Sequence, residues 1–156
     1  MYIRPSIDEI KKRLSQYSAI RVELANLEER LERLKSEEVL PAMRPSNGSK
    51  PTGSTGDRQE RSIIRRMEYE ERHGAEIDAK RDELRHIEDS INAVADPMER
   101  MVLRIRYTES ETAKPMPWRA VAMAIYKDDS DSKMLAIYRL HSRALNGIQG
   151  IMGATE

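Results

Sequence analysis

The sequence predicts an all-α protein, with a long N-terminal helical hairpin or coiled-coil arm followed by a small helix-turn-helix domain. Three observations carry that prediction. Charged residues make up 35% of the 156-residue chain and aromatics only 4%, which suits long solvated helices that bury a narrow stripe rather than a broad core. Apolar residues recur at alternating gaps of three and four from Ile7 to Leu34, the spacing of a heptad seam. From residue 96 onward the pattern changes to short apolar-faced helices separated by polar turns.

The first element, the coiled-coil helix of residues 1–40, carries its seam on Ile7, Ile10, Leu14, Tyr17, Ile20, Leu24, Leu27, Leu31 and Leu34. One three-residue slip falls between Tyr17 and Ile20. Ser6 and Glu9 have the spacing of a capping box, and Pro41 is expected to end the helix. Residues 41–56 are rich in Pro, Gly, Ser and Thr and read as a flexible linker. Gly48 and Gly53 have the separation of a phosphate loop, but Ser54 stands where that motif requires lysine.

The second long helix, residues 57–95, is expected to start at an Asp57/Glu60 capping box. Its stripe is Ile63, Met67, Gly74, Ile77, Leu84, Ile87, Ile91 and Val94, interrupted by Glu70 and Arg81. Gly74 costs about 1 kcal/mol relative to alanine, so this helix needs a partner. An antiparallel hairpin, within one chain or between two, would bury both stripes.

Residues 96–156 read as the helix-turn-helix domain. Asp96 as N-cap, Pro97 at the first position and Glu99 at the third mark a helix start. Met98, Met101, Val102 and Ile105 form its inner face. Pro117 opens a second short helix with Trp118, Val121, Ala122 and Ile125 inside. The turn from Lys127 to Asp131 leads to a last helix over about residues 132–151, with Ile137, Leu140, Ala144, Leu145 and Ile148 inside. Ala124 and Ala136 are expected near the crossing of these two helices. The last helix carries Lys133, Arg139 and Arg143 and no acidic residue between positions 132 and 152. With 27 basic and 27 acidic residues overall, this local charge is what a polyphosphate partner would recognise.

Other chemistries find little support. Without cysteine there is no disulfide framework and no thiolate metal site. His73, His86 and His141 lack ligand spacing. The turn aspartates fail the calcium-loop pattern, since Met134 and Leu140 stand where Gly and Glu are required. No nucleophile lies in a local motif with a base. An enzyme is not expected, nor a cofactor. No apolar run approaches a membrane span and the N-terminus has no signal-peptide core, so a soluble cytoplasmic protein with no membrane partner is expected.

The run "DPMERMVLRIRY … PWRAVAMAIYKDDSDSKMLAIYRLHSRALNGI" resembles the fourth region of bacterial sigma factors. It is closer still to sigma-like phage proteins of the ArpU/RinA late-gene activator type. The residues that carry the likeness are Glu99, Arg100, Val102, Leu103, Arg106, Tyr107, Trp118, Leu140, His141, Ala144, Leu145 and Ile148, within about a third of the chain. The resemblance implies a sigma-region-4-like helix-turn-helix that binds double-stranded DNA and regulates transcription in a bacterial host cell. It implies groove-facing Lys133, Met134, Tyr138, Arg139 and Ser142 or Arg143, with Arg119 at a phosphate. Asp128, Asp129 and Asp131 depart from the sigma pattern, and nothing resembles the other sigma regions. The arm would form a homodimer or contact RNA polymerase. Two alternatives are a small-terminase-like packaging factor, expected to form rings, and a helical adaptor that binds proteins and never DNA.

Overall fold

The structure, a computed structural model, describes residues 3–43 and 54–154. Their regular structure is entirely helical, with no strand among them. In chain order the helices are α1 (Ile7–Ser15), α2 (Tyr17–Met43), α3 (Ser54–Asn92), α4 (Pro97–Leu103), α5 (Trp118–Tyr126) and α6 (Asp131–Ala154). A π turn, Arg104–Thr108, extends α4. No helix among the described residues is long and apolar enough to cross a membrane.

The helix expected within residues 1–40 begins after Ser6 and divides at Gln16. The Ser6 capping box forms as its spacing predicts: the Glu9 amide donates to Ser6 Oγ at 3.2 Å, and the Ser6 amide donates to Glu9 Oε2 at 2.7 Å. At Gln16 the backbone stays right-handed, but its amide is shared between the Lys12 and Arg13 carbonyls. This offset lies one residue ahead of the seam's slip between Tyr17 and Ile20, and Leu14, Tyr17 and Ser18 all stay buried across it. Pro41 does not end α2, which continues to Met43. A proline in the last turn removes one hydrogen bond there and leaves the helix before it intact. α3 begins at Ser54, ahead of the expected Asp57/Glu60 box, and ends at Asn92. Of the expected linker 41–56, both edges are therefore helical, and 44–53 lie outside the described residues.

The chain forms two compact units, Glu23–Arg81 and a second drawn from Met1–Val22 with Asp82–Glu156. In the first, α2 and α3 run antiparallel around Leu24, Leu34 and Ile77, each under a tenth exposed. Cross-helix pairs join Arg66 to Glu38, Lys80 to Glu23 and Arg81 to Glu28. Tyr69 donates to the Leu27 carbonyl at 3.0 Å. The seam is buried only in part, because Met67 is 57% exposed, and Ile64 beside it, outside the seam, is 45% exposed.

The second unit is broader than residues 96–156. It takes in α1 and the end of α3, with Ile10, Leu14, Ile87, Ile91 and Val94 almost fully buried. α1, α4 and α5 all pack on α6. Arg13 makes a two-pronged bond to Glu83 at 2.6 and 2.8 Å, which holds that carboxyl below its ordinary range. Gln149 donates to the Pro5 carbonyl at 2.8 Å, and Ser18 Oγ to the Tyr107 carbonyl at 3.2 Å. The C-terminal core joins Val102, Ile105, Val121, Ala122 and Ile137. Ala122 is buried beneath α5, while Ala124, expected near the crossing, faces solvent. Leu140, expected in the core, packs only on its margin.

Asp96 caps α4 as its position predicts, accepting from the Met98 and Glu99 amides at 2.8 and 3.1 Å. Asp96→Ala is expected to cost about 1 kcal/mol of stability, read as a lower urea midpoint with unchanged slope. No shift of midpoint would mean that the cap contributes nothing net.

Candidate nucleic-acid interface

α5, a four-residue turn and α6 form the element that presents the basic residues. α5 closes on Lys127, the only non-glycine residue of positive φ among those described (φ 58, ψ 22). A left-handed residue is what reverses the chain after a helix, and lysine accepts it at a cost that glycine would avoid. Asp128 then accepts from the Ser130 amide at 2.9 Å and from its hydroxyl at 3.1 Å. One of the three turn carboxylates is thereby committed to shaping the turn. The first helical bond of α6 runs from the Met134 amide to the Ser130 carbonyl at 2.9 Å.

At 3.6 residues per turn, the buried side of α6 is Ile137, His141, Ala144, Ile148 and Met152. The opposite side carries Ser132, Leu135, Arg139, Ser142, Arg143 and Asn146, all exposed. Arg139, Ser142 and Arg143 thus share one outward face. Tyr138 is 43% exposed on its flank, its ring edge-on to Trp118 at 5.4 Å between centroids.

Two residues expected to face a groove do not share that side. Lys133 is half-buried, its ammonium 4.9 Å from the centre of the Tyr126 ring. Met134 packs against the core. Both lie nearer the buried stripe than Arg139 because of their angular positions on the helix. Leu135, 49% exposed at the middle of the outward face, is not among the groove-facing residues that the resemblance implies; its position opposite Ile137, Ala144 and Ile148 on the helix is the signal that marks it.

Arg119, exposed in the first turn of α5, lines an open cavity of about 500 Å³ with Asp129, Asp131, Met134, Leu135 and Tyr138. Arg119, Arg139 and Arg143 have no ion pair among the described residues, whereas the arginines at 13, 33, 66 and 81 each hold a carboxylate.

Beneath this face lies a buried polar group. His141 is 6% exposed, with its Nε2 2.7 Å from the Tyr107 hydroxyl and its ring edge-on to Trp118 at 4.6 Å. Burial, with Lys11 and Arg106 nearby, pushes the imidazole down to about 4. The neutral ring therefore sits in the core, and burial raises the Tyr107 phenol in turn. Trp118 is clamped from its other neighbours by the Arg106 guanidinium, 4.3 Å from the ring centre. Arg106 also donates to the Met116 carbonyl, and the Met116 amide returns a bond of 2.8 Å to the Arg106 carbonyl. The π turn makes this possible by aiming Ile105 and Tyr107 inward on either side of Arg106.

No family model, curated protein or solved structure matches the chain.

Proposed function

We propose that this chain binds double-stranded DNA through α5, the turn and α6, as a transcriptional regulator with a sigma-region-4-like helix-turn-helix of the phage late-activator type. The observation that carries the reading is the set of Arg119, Arg139 and Arg143. All three are exposed and unpaired among the described residues, and α6 is free of carboxylates from residue 132 to 152. Concentrated, unneutralised arginine is suited to phosphate oxygens and to guanine edges. The nine-residue α5, the left-handed Lys127 and the longer α6 support the helix-turn-helix assignment. Exposed Ile64 and Met67 on α3 support a homodimer, with RNA polymerase as the other partner for that surface.

A second reading is favoured by one feature. Leu135 and Tyr138 are exposed beside Asp129 and Asp131, a mixture that suits a protein partner. An adaptor of that kind would not retard duplex DNA at low salt.

The test is duplex affinity across a salt series. For the Arg139→Ala/Arg143→Ala variant, affinity should fall at least about tenfold at low salt, and the slope of log K on log salt should become shallower by about 2. The melting temperature should hardly move, because neither side chain is packed in the core. Unchanged binding by the folded variant would remove α6 as the reader.

A further inference from the structure

The helical hairpin carries a second set of unpaired arginines that the C-terminal element does not use. Arg58, Arg61, Arg65 and Arg72 follow one another on α3 at steps of three, four and seven residues, which places them in a single row along one face. All four are exposed, and none has an ion pair or hydrogen bond among the described residues. Carboxylates one helical turn away are not engaged: Asp57 stands four residues before Arg61, and Glu68 between Arg65 and Arg72. Elsewhere in the same unit Arg33, Arg66, Lys80 and Arg81 all take carboxylates.

α2 adds a fifth. Arg30, also exposed and unpaired, joins Arg65 and Arg72 around a cavity of about 150 Å³, completed by Leu34, Glu68 and Tyr69. Three guanidiniums converging on one concavity, with one carboxylate, leave an excess of positive potential that an anion would relieve.

We propose that this row is a binding surface for the phosphate backbone of a nucleic acid, acting in addition to the α6 face. Arg58 to Arg72 spans about 21 Å at 1.5 Å per residue, a line rather than a point, so a repeating polyanion matches it better than a single free phosphate. Every cation in the row is arginine, whose planar fork takes two oxygens of one phosphate. A polyphosphate also gains from released counterions, a driving force that scattered carboxylates on a protein do not supply. The row rests on its own residues and does not depend on the α6 reading.

The experiment uses the full chain, a duplex of random sequence and a poly-glutamate peptide, each titrated over a salt series. The variant Arg58→Gln/Arg61→Gln/Arg65→Gln/Arg72→Gln keeps good helix formers, and its circular dichroism reports whether the helix is retained. Duplex affinity is expected to fall at least about tenfold at low salt, with a slope shallower by about 2 to 4. Glu68→Gln, which removes the carboxylate inside the row, is expected to tighten duplex binding by roughly twofold or more, and it guards against a misfolded fourfold variant. The same substitutions made in the Arg139→Ala/Arg143→Ala background should still weaken what binding is left, so a failure of the α6 reading leaves this result standing. Unchanged duplex affinity and slope in both hairpin variants would overturn the proposal, as would poly-glutamate binding as tightly as the duplex.

Discussion

A fragment of residues 96–156 is expected to lack a cooperative unfolding transition, although those residues contain the whole α4–α6 region. Its unit is completed from outside that range. Ile10, Leu14, Tyr17, Ile87, Ile91 and Val94 are each no more than 5% exposed, and all belong to the same compact unit as α6. At about 1.5–3 kcal/mol for each buried side chain, six contribute at least roughly 9 kcal/mol. Small domains have only about 5–15 kcal/mol of net stability in total, so the loss is decisive. Near-UV circular dichroism and a urea titration of the fragment provide the check. The milder substitution Leu14→Ala, at a fully buried position, should lower stability in the full chain by about 2–5 kcal/mol. A sharp native-like transition in the isolated fragment would show that α1 and the end of α3 are dispensable.

Acid should loosen the same unit through His141. The imidazole titrates at about 4 in the folded chain, against about 6.5 when exposed. A base whose folded pKa is depressed takes up more protons unfolded than folded between those values. Stability is therefore complete above about pH 6.5 and declines as pH falls toward about 4, by up to about 3 kcal/mol for this one group. The cause is structural. Protonation would place a cation against Trp118 and Tyr107, with the positive charges of Lys11 and Arg106 nearby. His141→Gln keeps a hydrogen-bonding group for Tyr107 and removes the titration. Urea midpoints at about pH 7 and about pH 4.5 should differ less in the variant than in the parent chain by an amount approaching that figure. Equal differences in the two proteins would mean that His141 is not the acid-sensitive group.

Several features were legible locally because neighbours in sequence decide them. The Ser6 and Asp96 caps form with the partners their spacing implies, since a capping side chain reaches only amides two or three residues ahead. The apolar repeat also identified the helices and most of their inner faces, as at Ile10, Leu14, Ile77, Ile87 and Ile148. Their ends were less legible. Pro41 and Asp57 have the character of a stop and a start, yet helix runs through both positions.

Residue spacing and chemistry are enough to establish that the chain is helical, where its strongest caps lie and which residues are charged. Which of those residues are free to act depends on how the helices pack. Arg66 and Arg65 are adjacent and chemically identical, yet Arg66 is held by Glu38 from α2 while Arg65 is unpaired. Lys133 looked as available as Arg139 until the Tyr126 ring of α5 came under it. His141 reads as a packing or cap partner with no partner named, and the fold supplies Tyr107 and Trp118. In each case the deciding neighbour lies several residues to dozens of residues away in the chain. Helical periodicity specifies a side chain's direction around its own axis, but packing alone specifies what waits there.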